Sequence, residues 1–229
     1  MVAEKIDQCM KPHGEEGIET IKNMNENHRE ISEFAFSCID IGAEDEILDI
    51  GCGGGVNIEK FLRITLGNVD GLDYSEVSVS ESIKRNQAAI DDGRCKVIQA
   101  DVTDMPIDDE NYDLVTGFET IYFWPDLGET FKEVSRIIRP NGRFMIAQGT
   151  DGNHPDDEKW LAEVEGMSVY TAPELEEYLL DAGFKSVESY VKENDYILVV
   201  IAHQTSGFSA LTRFPFGKEI IFGYKGPVH

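Results

Sequence analysis

The spacing of apolar residues changes at about residue 46. Before this point, apolar residues recur every three or four positions from Ile18 to Cys38, which predicts one or two amphipathic helices over residues 15–40. After it, short apolar runs typical of buried strands alternate with helical segments. The predicted strands cover residues 47–50, 69–73, 95–100, 112–118, 143–148, 184–192 and 196–203.

Strands that alternate with helices are typical of an α/β fold, in which helices cover both faces of a mainly parallel sheet. We expect a Rossmann-like, doubly wound, seven-stranded sheet, mainly parallel with a C-terminal antiparallel hairpin, plus the N-terminal helices. Three regions are predicted: a helical cap at 1–40 that begins with a flexible lead-in, a main domain at 41–204, and an extension or tail at 205–229, where the regular pattern stops.

The chain is strongly acidic: 44 Asp and Glu residues stand against 20 Lys and Arg, giving a formal net charge of −24. Such a surface repels phosphate backbones and anionic membranes, so nucleic acid and membrane partners are disfavoured. The charge either provides only solubility or draws a cationic or neutral substrate into a negative cleft. The oligomeric state stays open, with a homodimer among the alternatives.

No segment indicates secretion, membrane insertion or a metal site. The apolar run at 196–202 is far shorter than the roughly 20 residues that span a bilayer, and the N-terminus lacks the apolar core of a secretory signal. The four cysteines (Cys9, Cys38, Cys52 and Cys95) have neither disulfide-framework nor metal-ligand spacing, and the five histidines are scattered. We therefore expect a cytoplasmic protein with reduced thiols.

The first predicted strand runs directly into a glycine-rich loop, a place where an open α/β sheet binds ligands. Glycines at 51, 53 and 55 allow a sharp turn and a close backbone approach to a ligand. A dinucleotide fingerprint would need glycine at the sixth position from Gly51, where Val56 stands, and no Gly-Lys-Ser/Thr follows to form a phosphate loop. The spacing therefore disfavours both common phosphate-binding motifs.

An acidic residue lies in or directly after each of the first three predicted strands: Asp49, Asp73 and Asp101. If these strands are parallel, the three carboxylates line one edge of the sheet. Carboxylates accept hydrogen bonds from an ammonium group, a ribose diol and an exocyclic amine, and they repel a pyrophosphate. S-adenosylmethionine has all three donors and no phosphate.

In this order, the motifs resemble those of class I S-adenosylmethionine-dependent methyltransferases over roughly residues 40–204. The segments that carry the resemblance are the glycine loop at 47–55, the second motif at 69–75, the third at 99–102 and the turn at 139–142. Arg143 departs from the pattern, since a second glycine is common there.

Two further segments, 17–33 and 170–184, are most similar to small-molecule methyltransferases related to the quinone-methylating group. The resemblance implies that 41–204 is a methyltransferase domain that binds S-adenosylmethionine and releases S-adenosylhomocysteine.

The resemblance also implies a role for each matching position. Asp49 and the glycines hold the methionine end of the cofactor, Asp73 takes the ribose hydroxyls, and Asp101 accepts from the adenine amine. The whole predicted cofactor set is Asp49, Gly51, Cys52, Gly53, Gly55, Asp73, Tyr74, Ser75, Asp101, Val102 and Phe118. Within it, Tyr74 lies beside the adenine, Val102 covers it, Cys52 is a small residue that fills the loop, and Phe118 flanks the methyl-transfer site.

Methyl transfer needs a general base only when the acceptor loses a proton. The predicted catalytic residues are Glu119, Tyr122 and His28, with Tyr170 and His154 as further candidates. The aromatic run that ends at Trp124 either forms a wall of the acceptor pocket or packs against the next helix, and residues 151–170 are a candidate lid.

The function predicted is transfer of a methyl group to a small-molecule acceptor by in-line displacement. One alternative is a non-catalytic cofactor-binding or partner-regulating module with the same fold. A third, an NAD-dependent oxidoreductase, is opposed by the glycine spacing and by Asp101.

Overall fold

The computed structural model describes residues 8, 10–164, 166–192, 195–205 and 220–221. Its centre is a sheet whose strands lie in the order β3-β2-β1-β4-β5-β7-β6-β8. Strands β1 to β5 are parallel, and β7, β6 and β8 continue the sheet in antiparallel fashion. The strands are β1 (Ile47–Ile50), β2 (Val69–Asp73), β3 (Val97–Gln99), β4 (Tyr112–Phe118), β5 (Ile138–Gln148), β6 (Ser186–Lys192), β7 (Ile197–His203) and β8 (Ile220–Ile221).

The predicted fold class is confirmed, and the two-residue β8 adds one strand to the seven that were expected. Strand order reverses between β1 and β4, where ligands bind in doubly wound sheets. Residues 206–219 and 222–229, most of the predicted extension, lie outside the described residues. The boundaries proposed at 40 and 204 stay a prediction.

Three of the described helices begin at a residue whose side chain caps them. Ser75 Oγ accepts from the backbone of Ser78, Asp126 caps the helix after β4, and Thr171 forms a capping box with Glu174. The helices are α1 (Gly14–Asn27), α2 (Arg29–Phe36), α3 (Val56–Leu62), α4 (Glu76–Asp91), α5 (Leu127–Ile137), α6 (Asp157–Glu163) and α7 (Ala172–Asp181), with a 3-10 turn at Ile121–Phe123.

Alternation along the strands divides the apolar core between the two faces of the sheet. Leu48 and Ile50 pack on one face together with side chains of α5 and α7, whereas Ile47 packs on the other with α2 and α3. The central strands are buried on both faces, as parallel strands are in α/β proteins. In the part of the chain that the structure describes, no helix is both long and apolar enough to cross a bilayer.

One local prediction is wrong. The segment 139–142, expected as a tight turn before the fifth strand, lies within β5. Tyr112 pairs with Ile138, but Leu114 pairs with Arg143, so the register shifts across this segment and its extra residues bulge out of the ladder. The turn-forming residues at 139–142 therefore lie at an irregularity inside β5, and the strand begins before them.

Candidate functional site

A cavity of about 380 Å³ opens at the carboxyl ends of β1, β2 and β4, within the size range of roughly 300–1,000 Å³ that small-molecule sites have. The predicted site residues that line it are His28, Asp49, Gly51, Cys52, Gly53, Asp73, Tyr74, Asp101, Val102, Phe118 and Glu119. Gly55, Ser75 and Tyr122 are outside this lining and support it from behind, as described below.

The glycines of the loop have different structural roles. Gly51, at φ +69°, lies so close to the Thr120 side chain that an added Cβ would collide with it. Gly53, at φ +52°, faces open space, since a Cβ there would have no atom within 4 Å. A ligand can therefore approach the Gly53 backbone directly, which is the geometry that a cofactor loop requires. Gly55 is the left-handed N-cap of α3.

Asp49 is almost fully buried, with 2% of its surface exposed, and lines the cavity from the end of β1. Thr116 Oγ1 donates to its Oδ1 at 2.8 Å. Burial raises the pKa of Asp49 to about 7, and the nearby Asp73 adds to the effect, while the Thr116 hydrogen bond and Lys60 oppose it. A cationic ligand group beside Asp49 would favour the ionised carboxylate.

Asp73 connects the loop to the second strand. Its Oδ2 accepts from Gly53 N and its Oδ1 from Ser75 N, both at 2.9 Å. Burial raises its pKa, and these backbone donors oppose the rise. Each carboxylate oxygen keeps a further lone pair, so Asp73 can still accept hydrogen bonds from a diol in the cavity.

Asp101 lies on the exposed side of the cavity. Thr103 donates to its Oδ1 through its hydroxyl at 2.7 Å and its backbone at 2.9 Å, and these bonds hold the pKa of Asp101 below its usual value. Val102 is buried next to it. Asp101 is therefore an ionised acceptor beside an apolar side chain, which fits an aminated ring.

Residues before α1 close the same end of the cavity, so the expected flexible lead-in is wrong for this part of the chain. Tyr74 Oη donates to the carbonyl of Met10, and Ser75 Oγ donates to that of Pro12, both at 2.6 Å. Met10 and Pro12 line the cavity beside Tyr74. No apolar periodicity marks this segment, and sequence analysis missed it.

Glu119, Tyr122 and His28, which the sequence singled out, lie together at the other end. Glu119 follows β4 with φ +55°, a left-handed backbone that is uncommon outside glycine. Tyr122 Oη donates to its Oε1 at 2.9 Å, and Gly149 N donates to the same oxygen. His28 Nε2 lies 3.9 Å from the other oxygen, Oε2. Their catalytic roles stay a prediction.

Burial of Glu119 raises its pKa, while His28, the Tyr122 hydroxyl and Gly149 N oppose the rise. Burial also raises the pKa of Tyr122 well above its ordinary value, and the neighbouring Glu119 raises it further. Tyr122 therefore stays protonated and acts as a donor. In the described part of the chain, Oε2 accepts no hydrogen bond, so this oxygen is available to a ligand.

Both interpretations of the aromatic run find contacts in the structure. Phe123 and Trp124 line the cavity, and Trp124 also packs edge-on against Phe131 of α5, with ring centroids 6.2 Å apart. None of the described residues of the candidate lid at 151–170 lines the cavity, and the lid stays a prediction. Within this segment, Ser168 N donates to the Tyr122 carbonyl at 2.9 Å, and His154 stacks on Trp160.

Sequence analysis also missed a set of lining residues on the N-terminal helices and on α3. Residues 21, 25, 28 and 32 recur at helical spacing, and all four face the cavity. This spacing was visible in the sequence, but a polar helix face is usually a solvated one. The missed residues are Ile21, Met24, Asn25, Ile31, Ser32, Val56, Asn57 and Lys60. Among the described residues, no group of three or more His, Cys, Asp or Glu side chains is arranged to hold a metal.

The site therefore fits S-adenosylmethionine on its own geometry. The open space beyond Gly53 admits a ligand against the loop backbone, and acidic side chains follow the cavity from Asp49 through Asp73 to Asp101. These groups match an ammonium, a diol and an amine, which donate hydrogen bonds.

Comparisons with known proteins agree with this geometry. Residues 48–146 match the family model of a methyltransferase domain. A 27-O-demethylrifamycin SV methyltransferase of Amycolatopsis mediterranei is 32% identical over 62% of this chain, and a 24-methylenesterol C-methyltransferase of Arabidopsis thaliana is 26% identical over 71%. The chain spans 55% and 46% of the lengths of these two relatives.

The fold is similar to that of a SAM-dependent methyltransferase from Aquifex aeolicus, with a TM-score of 0.68 and 19% identity over 82% of this chain and 98% of that one. The matched domain and the strand order agree with the ordered motifs of the sequence. Residues 48–146 are therefore similar to a methyltransferase domain, and the chain has the fold of S-adenosylmethionine-dependent methyltransferases.

Proposed function

We propose that the protein transfers a methyl group from S-adenosylmethionine to a small-molecule acceptor that loses a proton to Glu119. One observation carries the proposal: Glu119 has one carboxylate oxygen fixed by Tyr122 and Gly149 and lines the cavity, so that the other oxygen is left to a ligand. A fixed base with one free oxygen is what an acceptor with an acidic proton requires.

The cofactor end of the cavity is assigned to the residues of the glycine loop and the acidic strand ends. Asp49 and the Gly53 backbone hold the amino-acid end, Asp73 the ribose, and Asp101 with Val102 the adenine. When bound, S-adenosylmethionine supplies a methyl group on a positively charged sulfur. The protein's part is to align the acceptor and exclude water, which can lower the barrier by roughly 7–11 kcal/mol.

The acceptor end is assigned to the space between Glu119 and the N-terminal helices. Ile21, Met24 and Ile31 give this wall apolar surface, and Phe118 adds an aromatic ring. We infer a mainly apolar acceptor whose reacting atom faces Oε2. The proton lost by the acceptor moves to Glu119 Oε2. His28, whose side chain is 33% exposed, then transfers it to solvent.

The relatives differ in acceptor atom, since one is named for an O-demethylated rifamycin and the other for methylation of a sterol carbon. A buried carboxylate next to a tyrosine favours the first type, because a hydroxyl must be deprotonated as it is methylated. The acceptor proposed is therefore a hydroxyl on an apolar small molecule.

A cytoplasmic location without nucleic acid partners belongs to the same proposal. Support comes from the buried, reduced thiols of Cys52 and Cys95 and from the net charge of −24. Burial raises the pKa of Cys52 well above its ordinary value, which argues against a nucleophile at this position.

The first experiment is calorimetric titration with S-adenosylhomocysteine, with NAD as the control, followed by an acceptor screen with a labelled methyl donor. One-site binding of S-adenosylhomocysteine alone, with label transferred to a hydroxylated acceptor, supports the proposal. Binding without transfer to any acceptor would favour the non-catalytic module. Binding of NAD in its place would overturn the assignment of the loop.

A further inference from the structure

Lys60 is a half-buried ammonium that lines the cavity, and Glu33 and Asp49 are the carboxylates near enough for their charges to act on it. It is the one Lys or Arg among the lining residues in the described part of the chain, where four others are acidic. Its Nζ donates to Ser32 Oγ at 2.6 Å. Within the same described residues, Lys60 has no carboxylate oxygen within 4.0 Å, although the protein has 44 acidic residues to offer one.

The groups in contact with Lys60 are neutral, while the more distant charges of Glu33 and Arg29 act on it in opposite directions. Ser32, itself only 3% exposed, donates its own proton to Asn57 Oδ1 at 2.7 Å, so its oxygen is left to accept from Lys60. The Phe36 ring lies 5.8 Å from Nζ and contributes a weak cation–π attraction. Two N–H groups of the ammonium remain available, and a half-buried charge of this kind is costly unless it gains an anionic partner.

The position of Lys60 indicates which ligand group it meets. It lies on α3 directly after the glycine loop, near enough to Asp49 for its charge to lower the pKa of that carboxyl. At Gly54, α1 packs so tightly that an added Cβ would lie 2.9 Å from Asn25 Nδ2. Asn25, Ser32 and Lys60 therefore enclose the end of the cavity at which the proposed function puts the amino-acid group of the cofactor.

We propose that Lys60 binds a ligand carboxylate at this end of the cavity, oriented by Ser32. This inference rests on the proposed function. The carboxylate has two possible sources, the methionine part of the cofactor or an acidic acceptor. Asp49 and Lys60 then form a pair of opposite charges that matches the ammonium and carboxylate of an amino acid.

The test compares Lys60→Met with the wild type by calorimetry, using S-adenosylhomocysteine and 5′-methylthioadenosine, which lacks the amino-acid part. If the carboxylate belongs to the cofactor, Lys60→Met weakens S-adenosylhomocysteine binding by roughly 10- to 100-fold and leaves methylthioadenosine unchanged. Ser32→Ala keeps the charge of Lys60 but removes the hydroxyl that positions it. We expect this variant to lose less S-adenosylhomocysteine affinity than Lys60→Met and to bind methylthioadenosine as the wild type does. Lys84→Met, an exposed lysine of α4, is the control of equal charge change.

A second arm uses acetate as a carboxylate probe, with chloride at equal ionic strength. If the site serves the acceptor, acetate raises the melting temperature of wild-type protein saturated with S-adenosylhomocysteine but not that of Lys60→Met. Unchanged binding of S-adenosylhomocysteine together with no acetate effect would overturn the inference. So would an equal loss for both nucleosides with a lower melting temperature, since Lys60 would then only join α2 to α3. Failure of the wild type itself to bind S-adenosylhomocysteine would instead reject the proposed function.

Discussion

Tyr122 Oη donates to Glu119 Oε1 at 2.9 Å, and both groups also meet the backbone N–H of Gly149. A phenol that follows β4 and a backbone amide that follows β5 thus donate to the same oxygen of the Glu119 carboxylate. The arrangement fixes Glu119 in a left-handed backbone conformation, which costs energy at a non-glycine residue. Strain maintained by a specific hydrogen-bond network at a cavity wall is typical of functional sites.

Tyr122→Phe tests this network through its pH dependence. The tyrosine hydrogen bond opposes the rise in the Glu119 pKa, so its loss raises that pKa further. Because the base must be ionised, we expect the acidic limb of the kcat/KM profile to move to higher pH and the rate at neutral pH to fall. Tyr178→Phe, on the exposed side of α7, is the matched control. If the acidic limb stayed at the same pH, Tyr122 would have no part in setting the pKa of the catalytic base.

Glu119→Gln tests the base itself. The amide keeps the shape of the side chain but cannot take a proton, so we expect turnover to fall by roughly 10²- to 10⁴-fold. S-adenosylhomocysteine affinity, measured by calorimetry, should stay near the wild-type value, because the cofactor residues lie on other strand ends. Glu177→Gln, an exposed position of α7, controls for the charge change. A large loss of affinity would instead move Glu119 into the cofactor site.

Gly53→Ala and Gly93→Ala form a matched pair. Both glycines have positive φ, +52° and +74°, and neither substituted Cβ would meet an atom within 4 Å. The left-handed conformation costs alanine roughly 1–2 kcal/mol at either position, so similar melting temperatures are expected. Only Gly53 lines the cavity, and its new methyl group would occupy cofactor space. We expect weaker S-adenosylhomocysteine binding in Gly53→Ala alone. Equal affinities would show that the loop does not face the cofactor.

Asp73→Ala should affect both binding and folding. Asp73 accepts from Gly53 N and Ser75 N, so its removal leaves two backbone donors without their acceptor. We expect cofactor affinity to fall by about 1–3 kcal/mol and the melting temperature to fall as well. Calorimetry and thermal denaturation measure the two effects. Asp73→Asn, which keeps an oxygen acceptor, should recover part of the stability; no change in affinity would remove Asp73 from the ribose role.

The sequence indicated those parts of the site that follow from local pattern. Asp49 and Asp73 end up together because the carboxyl ends of parallel strands meet at one edge of a sheet. Glu119 was identifiable as the residue after a predicted strand. Lys60 and Asn25 were not, because a polar helix face has the same pattern whether it meets water or a cavity. Only long-range packing of α1 and α2 against the glycine loop distinguishes the two cases.

The segment at Met10 and the bulge before Arg143 were missed for a related reason. Neither segment has a regular spacing of apolar residues. The first is held by hydrogen bonds from Tyr74 and Ser75, which are more than 60 residues away in the chain, and the second by pairing with β4. Contacts between segments so far apart in the chain are not encoded in the spacing of either segment.

Asp49 makes the stability of the ligand-free protein depend on pH. Its pKa of about 7 in the folded state lies above the 3.8 of an exposed aspartate, so between these values the folded protein binds more protons than the unfolded chain. The free energy of unfolding therefore falls as pH rises through this window, by at most about 1.4 kcal/mol per pH unit for one group. Chemical denaturation at a series of pH values measures the slope.

Asp73 and Glu119 also have raised pKa values and contribute to the slope with the same sign. The informative quantity is therefore the difference between the wild type and Asp49→Asn, which cannot ionise, and we expect the variant to have the shallower slope. S-adenosylhomocysteine should reduce this difference, because its ammonium favours the charged form of Asp49 and replaces the solvation lost on burial. A difference that stays the same when the ligand is bound would mean that Asp49 does not face the amino-acid end of the cofactor.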